Sequence, residues 1–222
     1  MVDFQERDTK IVDTDETDGD DEAKTGENVE QTRERADEYH EDEGNAHDES
    51  HADHHAHDEA RVGAAIVTVS STRSLDDDPS GDAIATAFED DGHEVVTREL
   101  VRDSLDAIQS TVDALTDRAD VDVVVTTGGT GVSPDDVTVE AVRPLLEKNL
   151  PGFGELFRTL SYDEIGTGII GTRALGGVSD AVPVFVLPGS ESAVSLATEE
   201  IILPEIGHLA GLATRGLDED EE

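Results

Sequence analysis

The chain contains no cysteine and no tryptophan, and only three of its 222 residues are lysine. Without cysteine it can form neither a disulfide nor a thiolate metal site, and a catalytic thiol is excluded. It also lacks an apolar run long enough to cross a bilayer, and its N-terminus lacks the apolar core of a signal peptide. From these absences we expect a soluble, cytoplasmic protein.

Basic residues of both kinds are scarce. There are 15 lysines and arginines against 55 aspartates and glutamates, which gives a formal net charge of −40. Of this charge, −18 falls on residues 1–60 and −22 on the other 162 residues. Nucleic acids and anionic membranes would repel such a chain, so neither is expected as a partner. An acidic domain of this kind suits a salt-rich cytoplasm, and we interpret the chain as halophilic and haloarchaeal.

The acidic excess predicts that the folded domain needs salt. Repulsion between carboxylates opposes the compact state, and the distance over which it acts falls from about 10 Å at 0.1 M salt to about 3 Å at 1 M. We therefore expect the melting temperature, followed by circular dichroism, to rise steeply from low to molar KCl. A melting temperature that does not change with KCl would show that the acids are already compensated within the fold.

Residues 1–60 contain few large apolar side chains and end in a segment with five histidines between His47 and His57. Such a stretch cannot bury enough surface to offset the entropy of ordering, so we predict a disordered, acidic, histidine-rich tail. Histidine, aspartate and glutamate are metal-ligand types, but the segment has neither fixed spacing nor a cysteine partner. It is therefore interpreted either as a solvated tail or as a loose metal-binding segment. A second acidic tail is predicted at residues 217–222.

Residues 61–216 alternate between β-prone and helical segments. This alternation predicts one α/β domain with three layers, α/β/α, around a mostly parallel sheet. Strands are predicted at residues 62–69, 93–101, 121–127 and 182–187. Helices are predicted at residues 81–91 with Ser80 as N-cap, from residue 105, from the end of the glycine loop to residue 148, at 153–160, at 191–202 and from 204. Residues 166–177, which hold five glycines, are predicted to form a loop.

The most informative segment is residues 123–139, V-V-V-T-T-G-G-T-G-V-S-P-D-D-V-T-V. Its continuous β-prone run predicts a strand buried on both faces. Gly128, Gly129, Thr130 and Gly131, here called the glycine loop, follow the strand and allow the backbone to approach a ligand closely. A strand, a glycine loop and a helix N-terminus together favour phosphate binding. The glycines alone are equally consistent with a tight β–α turn.

Acidic and hydroxyl side chains after the glycine loop and at the other predicted strand ends also favour a phosphate site. Asp136 follows the glycine loop, where a carboxylate either caps a helix or holds a metal against a phosphate. No lysine or arginine lies between Thr127 and Glu140, and a phosphate site without bases usually recruits Mg²⁺. Because the carboxyl ends of parallel strands meet at one edge, we predict one shared site. The other residues at predicted strand ends are Ser70, Thr72, Arg73, Asp103, Gly189 and Ser190.

Five motifs follow one another in residues 61–215. They are T-T-G-G-T-G (126–131), D-V-T-x-E-A (136–141), G-F-G-E-L-F-R (152–158), S-Y-D-E-I-G-T (161–167) and L-P-G-S (187–190). In this order they resemble the MogA/MoaB family of molybdenum cofactor biosynthesis, and the third and last are closer to the MoaB branch. The resemblance implies a molybdopterin-binding domain that forms trimers or hexamers. It also implies Mg²⁺-dependent transfer of AMP from ATP to the terminal phosphate of molybdopterin, with pyrophosphate as leaving group.

The resemblance assigns roles to individual residues. The family's two functional aspartates correspond to Asp103 and Asp136, which would be catalytic and hold Mg²⁺, and the serine of its L-P-G-S turn corresponds to Ser190. On chemical grounds the glycine loop, with Ser70, Thr72 and Arg73, would bind the nucleotide phosphates. Gly189, Ser190, Glu155 and Arg158 would bind molybdopterin, although Glu155 is equally consistent with a surface carboxylate on a helix. Two departures from the family pattern are Asp135, often arginine, and Ser71, often aspartate.

Three other functions remain open. The first is a protein of the same fold that binds molybdopterin or a nucleotide without transferring anything. The second is another enzyme of that fold, either a molybdenum-insertion enzyme or a competence-damage nucleotide hydrolase. Residues 70–73, S-S-T-R, stand where those enzymes usually have a G-D-E-L/I-type motif, which argues against both. The third is a metal chaperone that uses the histidines of residues 47–57.

Overall fold

The computed structural model describes residues 61–215, so the predicted tails at 1–60 and 217–222 lie outside the described residues. Strands and helices alternate along the described part of the chain, as predicted. The strands are β1 Gly63–Val69, β2 Glu94–Val101, β3 Val123–Thr127, β4 Lys148–Asn149, β5 Leu175–Ser179 and β6 Val182–Leu187. The helices are α1 Pro79–Asp90, α2 Leu105–Thr116, α3 Thr138–Val142, α4 Pro151–Ile165, α5 Glu191–Ala197 and α6 Leu203–Thr214. Short 3₁₀ turns cover Arg143–Leu145 and Gly166–Gly171, and a π-helical turn, Thr198–Ile202, joins α5 to α6.

The strands form a single six-stranded sheet in the order β2-β1-β3-β6-β5-β4. Strands β2, β1, β3 and β6 are parallel neighbours, whereas β5 runs antiparallel to both β6 and β4. The sheet is therefore mostly parallel, which confirms the predicted fold class. The direction of the strand order reverses at β1, since the chain moves outward first to β2 and then, on the other side, to β3.

Helices cover both faces of the sheet, and each face has its own apolar core. Ile66 of β1 and Val125 of β3 face a core that α1, α4, α5 and α6 complete. Val67 and Val124, their neighbours in sequence, face the opposite core, which α2 and α3 complete. This alternation of fully buried side chains confirms that the central strands are buried on both faces. In residues 61–215 no helix is long and apolar enough to cross a membrane.

The prediction of four strands is wrong, because β4 and β5 were missed. β5 begins within the glycine-rich segment, residues 166–177, that was predicted to be a loop. A Cβ at Gly176 would lie 3.2 Å from the Cβ of Phe153, and one at Gly177 would lie 2.6 Å from the carbonyl oxygen of Lys148. These two glycines therefore allow close packing of β5 against α4 and β4, and they do not indicate a loop.

Several helix boundaries also differ from the predictions. Asp78, not Ser80, caps α1, since its carboxylate accepts a hydrogen bond from the Gly81 N–H at 3.1 Å. Helix α3 has only five residues and does not reach Lys148, because the chain tightens into a 3₁₀ turn that contains Pro144. Helix α4 begins earlier and ends later than predicted, at Pro151–Ile165, where proline occupies the first turn.

Candidate functional site

Four loops that carry predicted site residues meet at one edge of the sheet. They follow β2, β1, β3 and β6, and these strands are consecutive in the sheet and parallel. The strand order reverses between β1 and β3, which is where open α/β sheets form a ligand-binding crevice. The sheet therefore brings the glycine loop and residues 70–78, here called the β1 loop, to the two sides of this crevice. Asp103, which follows β2, lies on one flank. Ser190 lies on the other, in residues 188–190, here called the β6 loop.

The glycine loop is held tightly against β1 and α3. Gly128 and Gly129 have φ angles of +99° and +64°, and a Cβ at Gly128 would lie 2.3 Å from the carbonyl oxygen of Val69. The Thr138 hydroxyl donates to the Gly128 carbonyl at 2.8 Å, and the Thr138 N–H donates to the Gly129 carbonyl at 3.1 Å. Both steric space and backbone conformation thus require glycine here.

The glycine loop does not lead directly into a helix, contrary to the prediction. Residues 131–137 form further turns before α3, and Pro134 lies in these turns rather than at a first helical position. An amide that binds an anion at this edge would therefore belong to the loop itself and not to the N-terminus of α3. Successive loop amides can attract an anion without a helix N-terminus.

Asp136 organises the turn that follows the glycine loop. Its Oδ2 accepts hydrogen bonds from the Ser133 N–H at 2.9 Å and from the Ser133 hydroxyl at 2.6 Å. The Ser133 hydroxyl, together with backbone N–H groups of Ser133 and Gly131, lowers the pKa of Asp136, so the carboxylate is ionised at neutral pH. It does not cap α3, whose N-cap is Val137. A carboxylate has about four lone-pair positions, which leaves capacity for a further ligand.

Asp103 follows β2 and is half-buried. Its backbone N–H donates to the hydroxyl of Ser71, in the β1 loop, at 3.4 Å. Its carboxylate forms no hydrogen bond or ion pair with any residue that the structure describes. Ser104 occupies the N-cap of α2, so Asp103 does not cap this helix.

The β1 loop is folded around Ser70 and Arg73. The Ser70 hydroxyl oxygen accepts the N–H groups of Thr72 and Arg73 at 3.3 and 3.2 Å. The Arg73 guanidinium donates to the Ser80 hydroxyl at 3.1 Å and to the Gly189 carbonyl at 3.4 Å. Arg73 thus joins the β1 loop to the β6 loop, while its side chain remains about a third exposed at 34%.

Asp78 was not among the predicted site residues, yet it connects β1, β2 and α1. Its carboxylate is 1% exposed, accepts the Thr68 hydroxyl at 2.6 Å and lies 3.3 Å from Arg98 and 3.6 Å from Arg73. A buried carboxylate requires such partners. The sequence did carry a signal for the cap, because aspartate followed by proline is typical of an N-cap and a first helical residue.

The β6 loop adjoins the glycine loop. The Thr127 hydroxyl donates to the Pro188 carbonyl at 2.8 Å, and a Cβ at Gly189 would lie 3.3 Å from the Cα of Gly128. Ser190 is exposed at the N-cap of α5, where its side chain makes no capping hydrogen bond. Its hydroxyl can therefore donate to a ligand at the crevice.

Glu155 and Arg158 do not lie in the crevice. They line an adjoining cleft of about 370 Å³ between α3, α4 and β5, here called the arginine cleft. Arg158 donates to the Ala174 carbonyl at 3.4 Å, whereas Glu155 is exposed. The charged lining of this cleft is mixed, with three guanidinium groups and two carboxylates, and Arg173 pairs with Glu140. The charged residues that line the arginine cleft are Glu140, Arg143, Glu155, Arg158 and Arg173.

Although no lysine or arginine lies between Thr127 and Glu140 in the sequence, the fold places Arg173 directly beside the glycine loop. Arg173 precedes β5 and donates to the carbonyls of Thr130, at 3.3 Å, and Asp136, at 2.7 Å. It also pairs with the carboxylate of Glu140, and this hydrogen bond lowers the Glu140 pKa. The motif could not reveal this contact, since it depends on the antiparallel strand β5, which was not predicted.

Comparisons with known proteins agree with this architecture. A family model described as "Probable molybdopterin binding domain" matches residues 65–208. Molybdenum cofactor biosynthesis protein B of Bacillus cereus is 46% identical over 149 residues, which cover 67% of this chain and 88% of the relative.

Solved structures show the same relationship. A crystal structure of Molybdenum cofactor biosynthesis protein B superposes with a TM-score of 0.68 at 45% identity, and the match covers 72% of this chain and 99% of that one. The tungsten cofactor synthesizing protein MoaB from Pyrococcus furiosus superposes with a TM-score of 0.58 at 34% identity, covering 70% of this chain and 97% of that one.

Proposed function

The chain belongs to the molybdopterin-binding domain family of molybdenum cofactor biosynthesis, and we propose that it transfers AMP from ATP to the terminal phosphate of molybdopterin. In this reaction an oxygen of the terminal phosphate attacks the α-phosphorus of ATP and forms a new P–O bond. The bond from the α-phosphorus to the oxygen that bridges it to the β-phosphate breaks, and pyrophosphate leaves. The products are adenylylated molybdopterin and pyrophosphate.

The observation that carries this proposal is the position of the arginine cleft beside the glycine loop. The glycine loop borders the switch-point crevice, and the arginine cleft adjoins it through Arg173. Transfer between two phosphorylated substrates requires that both be held in line, and this accounts for much of the catalysis that a protein supplies to such reactions. A site for one nucleotide alone would not need the second cleft.

The chain's own residues would hold the substrates as follows. The N–H groups of Gly129 and Thr130 would donate to the phosphate chain of ATP, with the β1 loop beside them. The Gly128 N–H already donates to the Leu187 carbonyl at 3.1 Å, and the Gly131 N–H binds the Asp136 carboxylate. The Ser190 hydroxyl would bind the terminal phosphate of molybdopterin, next to the α-phosphate at the glycine loop. Glu155 and Arg158 would contact the remainder of molybdopterin in the arginine cleft.

The residues at this edge fit Mg²⁺. This ion prefers oxygen ligands and is usually held by one or two carboxylates together with water and substrate phosphates. Asp103 and Asp136 meet this requirement, and in residues 61–215 no three histidine, aspartate or glutamate side chains form a complete metal site by themselves. Bound between them and the substrate, Mg²⁺ would offset the negative charge of the phosphates.

Pyrophosphate release tests the proposal. The protein in molar KCl is supplied with ATP, Mg²⁺ and molybdopterin, and we expect pyrophosphate and adenylylated molybdopterin in equal amounts, with neither formed when molybdopterin is omitted. Binding of both substrates in titration calorimetry without pyrophosphate release would instead establish the non-catalytic alternative. Hydrolysis of nucleotide without molybdopterin would indicate a hydrolase.

A homo-oligomer, either a trimer or a hexamer, is part of the same proposal. Tyr162 and Ile165 near the end of α4, and Ile170 in the following 3₁₀ turn, are each more than half exposed. Exposed apolar groups of this kind mark contact surfaces. Light scattering in molar KCl should give three or six times the chain mass of 23.7 kDa.

A further inference from the structure

A single guanidinium holds three groups of the segment that contains the glycine loop. The Nε of Arg173 donates to the Thr130 carbonyl at 3.3 Å, one terminal nitrogen donates to the Asp136 carbonyl at 2.7 Å, and the other binds the carboxylate of Glu140. The guanidinium is planar and presents its donors in a fixed fork. It therefore fixes the positions of these three groups relative to one another.

The contact between Arg173 and the Thr130 carbonyl also fixes the direction of the next N–H of the loop, because the peptide bond is planar. In a trans peptide the C=O and N–H point in opposite directions. Because Arg173 binds the Thr130 carbonyl, the N–H of Gly131 must point away from Arg173. This N–H is one of the groups that stabilise the ionised carboxylate of Asp136. The orientation of the Gly131 amide and the position of the Asp136 carboxylate thus depend on the same anchor.

We propose that Arg173 is a positioning residue that holds the glycine loop and Asp136 in the orientation in which both can face the phosphates of ATP. This inference rests on the proposed adenylyl transfer and adds to it a residue that none of the sequence motifs of the site includes. Arg173 acts through the loop and not on the nucleotide, since each of its three nitrogens donates to a protein group. Glu140 is the counter-charge that keeps the guanidinium in place.

The loop needs such an anchor because of its composition. Three of its four residues are glycines, which have more backbone freedom than any other residue. Thr138 fixes the carbonyls of Gly128 and Gly129, but Arg173 is the residue that fixes the next carbonyl, that of Thr130. A displacement of about 1 Å in a reacting group can lower a rate on the order of 100-fold. Lysine cannot replace arginine here, because it offers one point charge instead of a planar fork.

The test compares Arg173→Gln with Arg118→Gln. Arg118 is a suitable control because its side chain is 37% exposed, against 30% for Arg173, and it also pairs with a carboxylate, that of Asp120. Arg118 precedes β3, so it lies at the edge of the sheet opposite to the crevice. Both variants remove one charge and one ion pair, and only the first removes the anchor of the loop.

We expect kcat/KM for ATP to fall about 100-fold in Arg173→Gln, which is a larger change than any in the KM for molybdopterin, whose proposed cleft Arg173 also lines. Arg173→Lys should lose most of the same activity, and Arg118→Gln should stay within about twofold of the parent protein. A residue that binds molybdopterin directly would instead raise the KM for molybdopterin. A general loss of structure would lower the melting temperature and impair both substrates together.

A second measurement needs no substrate. Amide hydrogen exchange of Gly131 and Ser133, followed by NMR in the free protein, should accelerate at least about tenfold in Arg173→Gln and remain unchanged in Arg118→Gln. Unchanged exchange in Arg173→Gln, or an ATP kcat/KM within threefold of that of Arg118→Gln, would overturn the positioning role. If the parent protein releases no pyrophosphate, the proposed function fails, and the exchange measurement still decides the role of Arg173.

Discussion

Asp136→Asn is expected to lower the rate of adenylyl transfer at least ~100-fold while leaving the domain folded. The rate and the stability are expected to respond differently because the Asp136 carboxylate holds a turn and, in the proposed function, would also hold Mg²⁺. It accepts hydrogen bonds from the N–H and hydroxyl of Ser133 through Oδ2, and the carbonyl oxygen of asparagine can accept both of these. Asparagine lacks the negative charge that would hold Mg²⁺ against the phosphates. The turn therefore survives, and the electrostatic contribution to the transition state is lost.

Asp103→Asn should give the same loss of turnover with an even smaller effect on stability. The carboxylate of Asp103 makes no hydrogen bond or ion pair within residues 61–215, so its replacement removes no described contact. A half-buried carboxylate at a strand end that has no partner in the described part of the chain keeps its lone pairs available for a ligand. Asp103 does not act as a helix cap, since Ser104 occupies the N-cap of α2.

Neighbouring aspartates provide matched controls for both substitutions. Asp135→Asn and Asp106→Asn make the same chemical change at exposed positions one and three residues away. Rates of pyrophosphate release and melting temperatures are measured for all four variants in molar KCl. We expect the controls to stay within about threefold of the parent rate. If Asp136→Asn retains full adenylyl transfer, then the glycine loop is only a turn and the site assignment is wrong.

The parallel half of the fold could be predicted because its signals are local. Val123 to Val125 form an unbroken β-branched run, and such a run indicates a strand covered on both faces. The glycines that follow end the strand in a conformation that only glycine adopts readily, as the φ angle of Gly128 shows. Once the strands were assigned as parallel, the convergence of their loops at one edge followed from geometry.

The antiparallel half could not be predicted in this way. Gly176 and Gly177 are in a strand because a neighbouring side chain or backbone fills the space where a Cβ would lie, and this packing is not visible in the sequence. Because β5 was not predicted, there was no reason to place Arg173 beside the glycine loop. Thr130 of this loop lies 43 residues before Arg173 in the chain. Arg73 and Arg158 were the bases predicted for this site, whereas the base that contacts the glycine loop is Arg173.

Gly128→Ala is expected to destabilise the domain by about 4 kcal/mol or more, which few single substitutions do. Two costs add at this position. The φ angle of +99° is unfavourable for any residue with a Cβ, at roughly 1–2 kcal/mol. The new Cβ would also lie 2.3 Å from the carbonyl oxygen of Val69, and neither group can move without separating the glycine loop from β1. This separation would open the switch-point crevice and abolish ATP binding.

Gly92→Ala isolates the first of these costs. Gly92 has a φ angle of +90°, close to that of Gly128, but a Cβ built on it would meet no atom within 4 Å. Urea unfolding in molar KCl should therefore show a loss of about 1–2 kcal/mol for Gly92→Ala, with ATP affinity unchanged in titration calorimetry. The difference between the two variants measures the contact with β1. If Gly128→Ala and Gly92→Ala lose the same stability, the contact with β1 contributes nothing to folding. If Gly128→Ala binds ATP normally, the crevice does not depend on this contact.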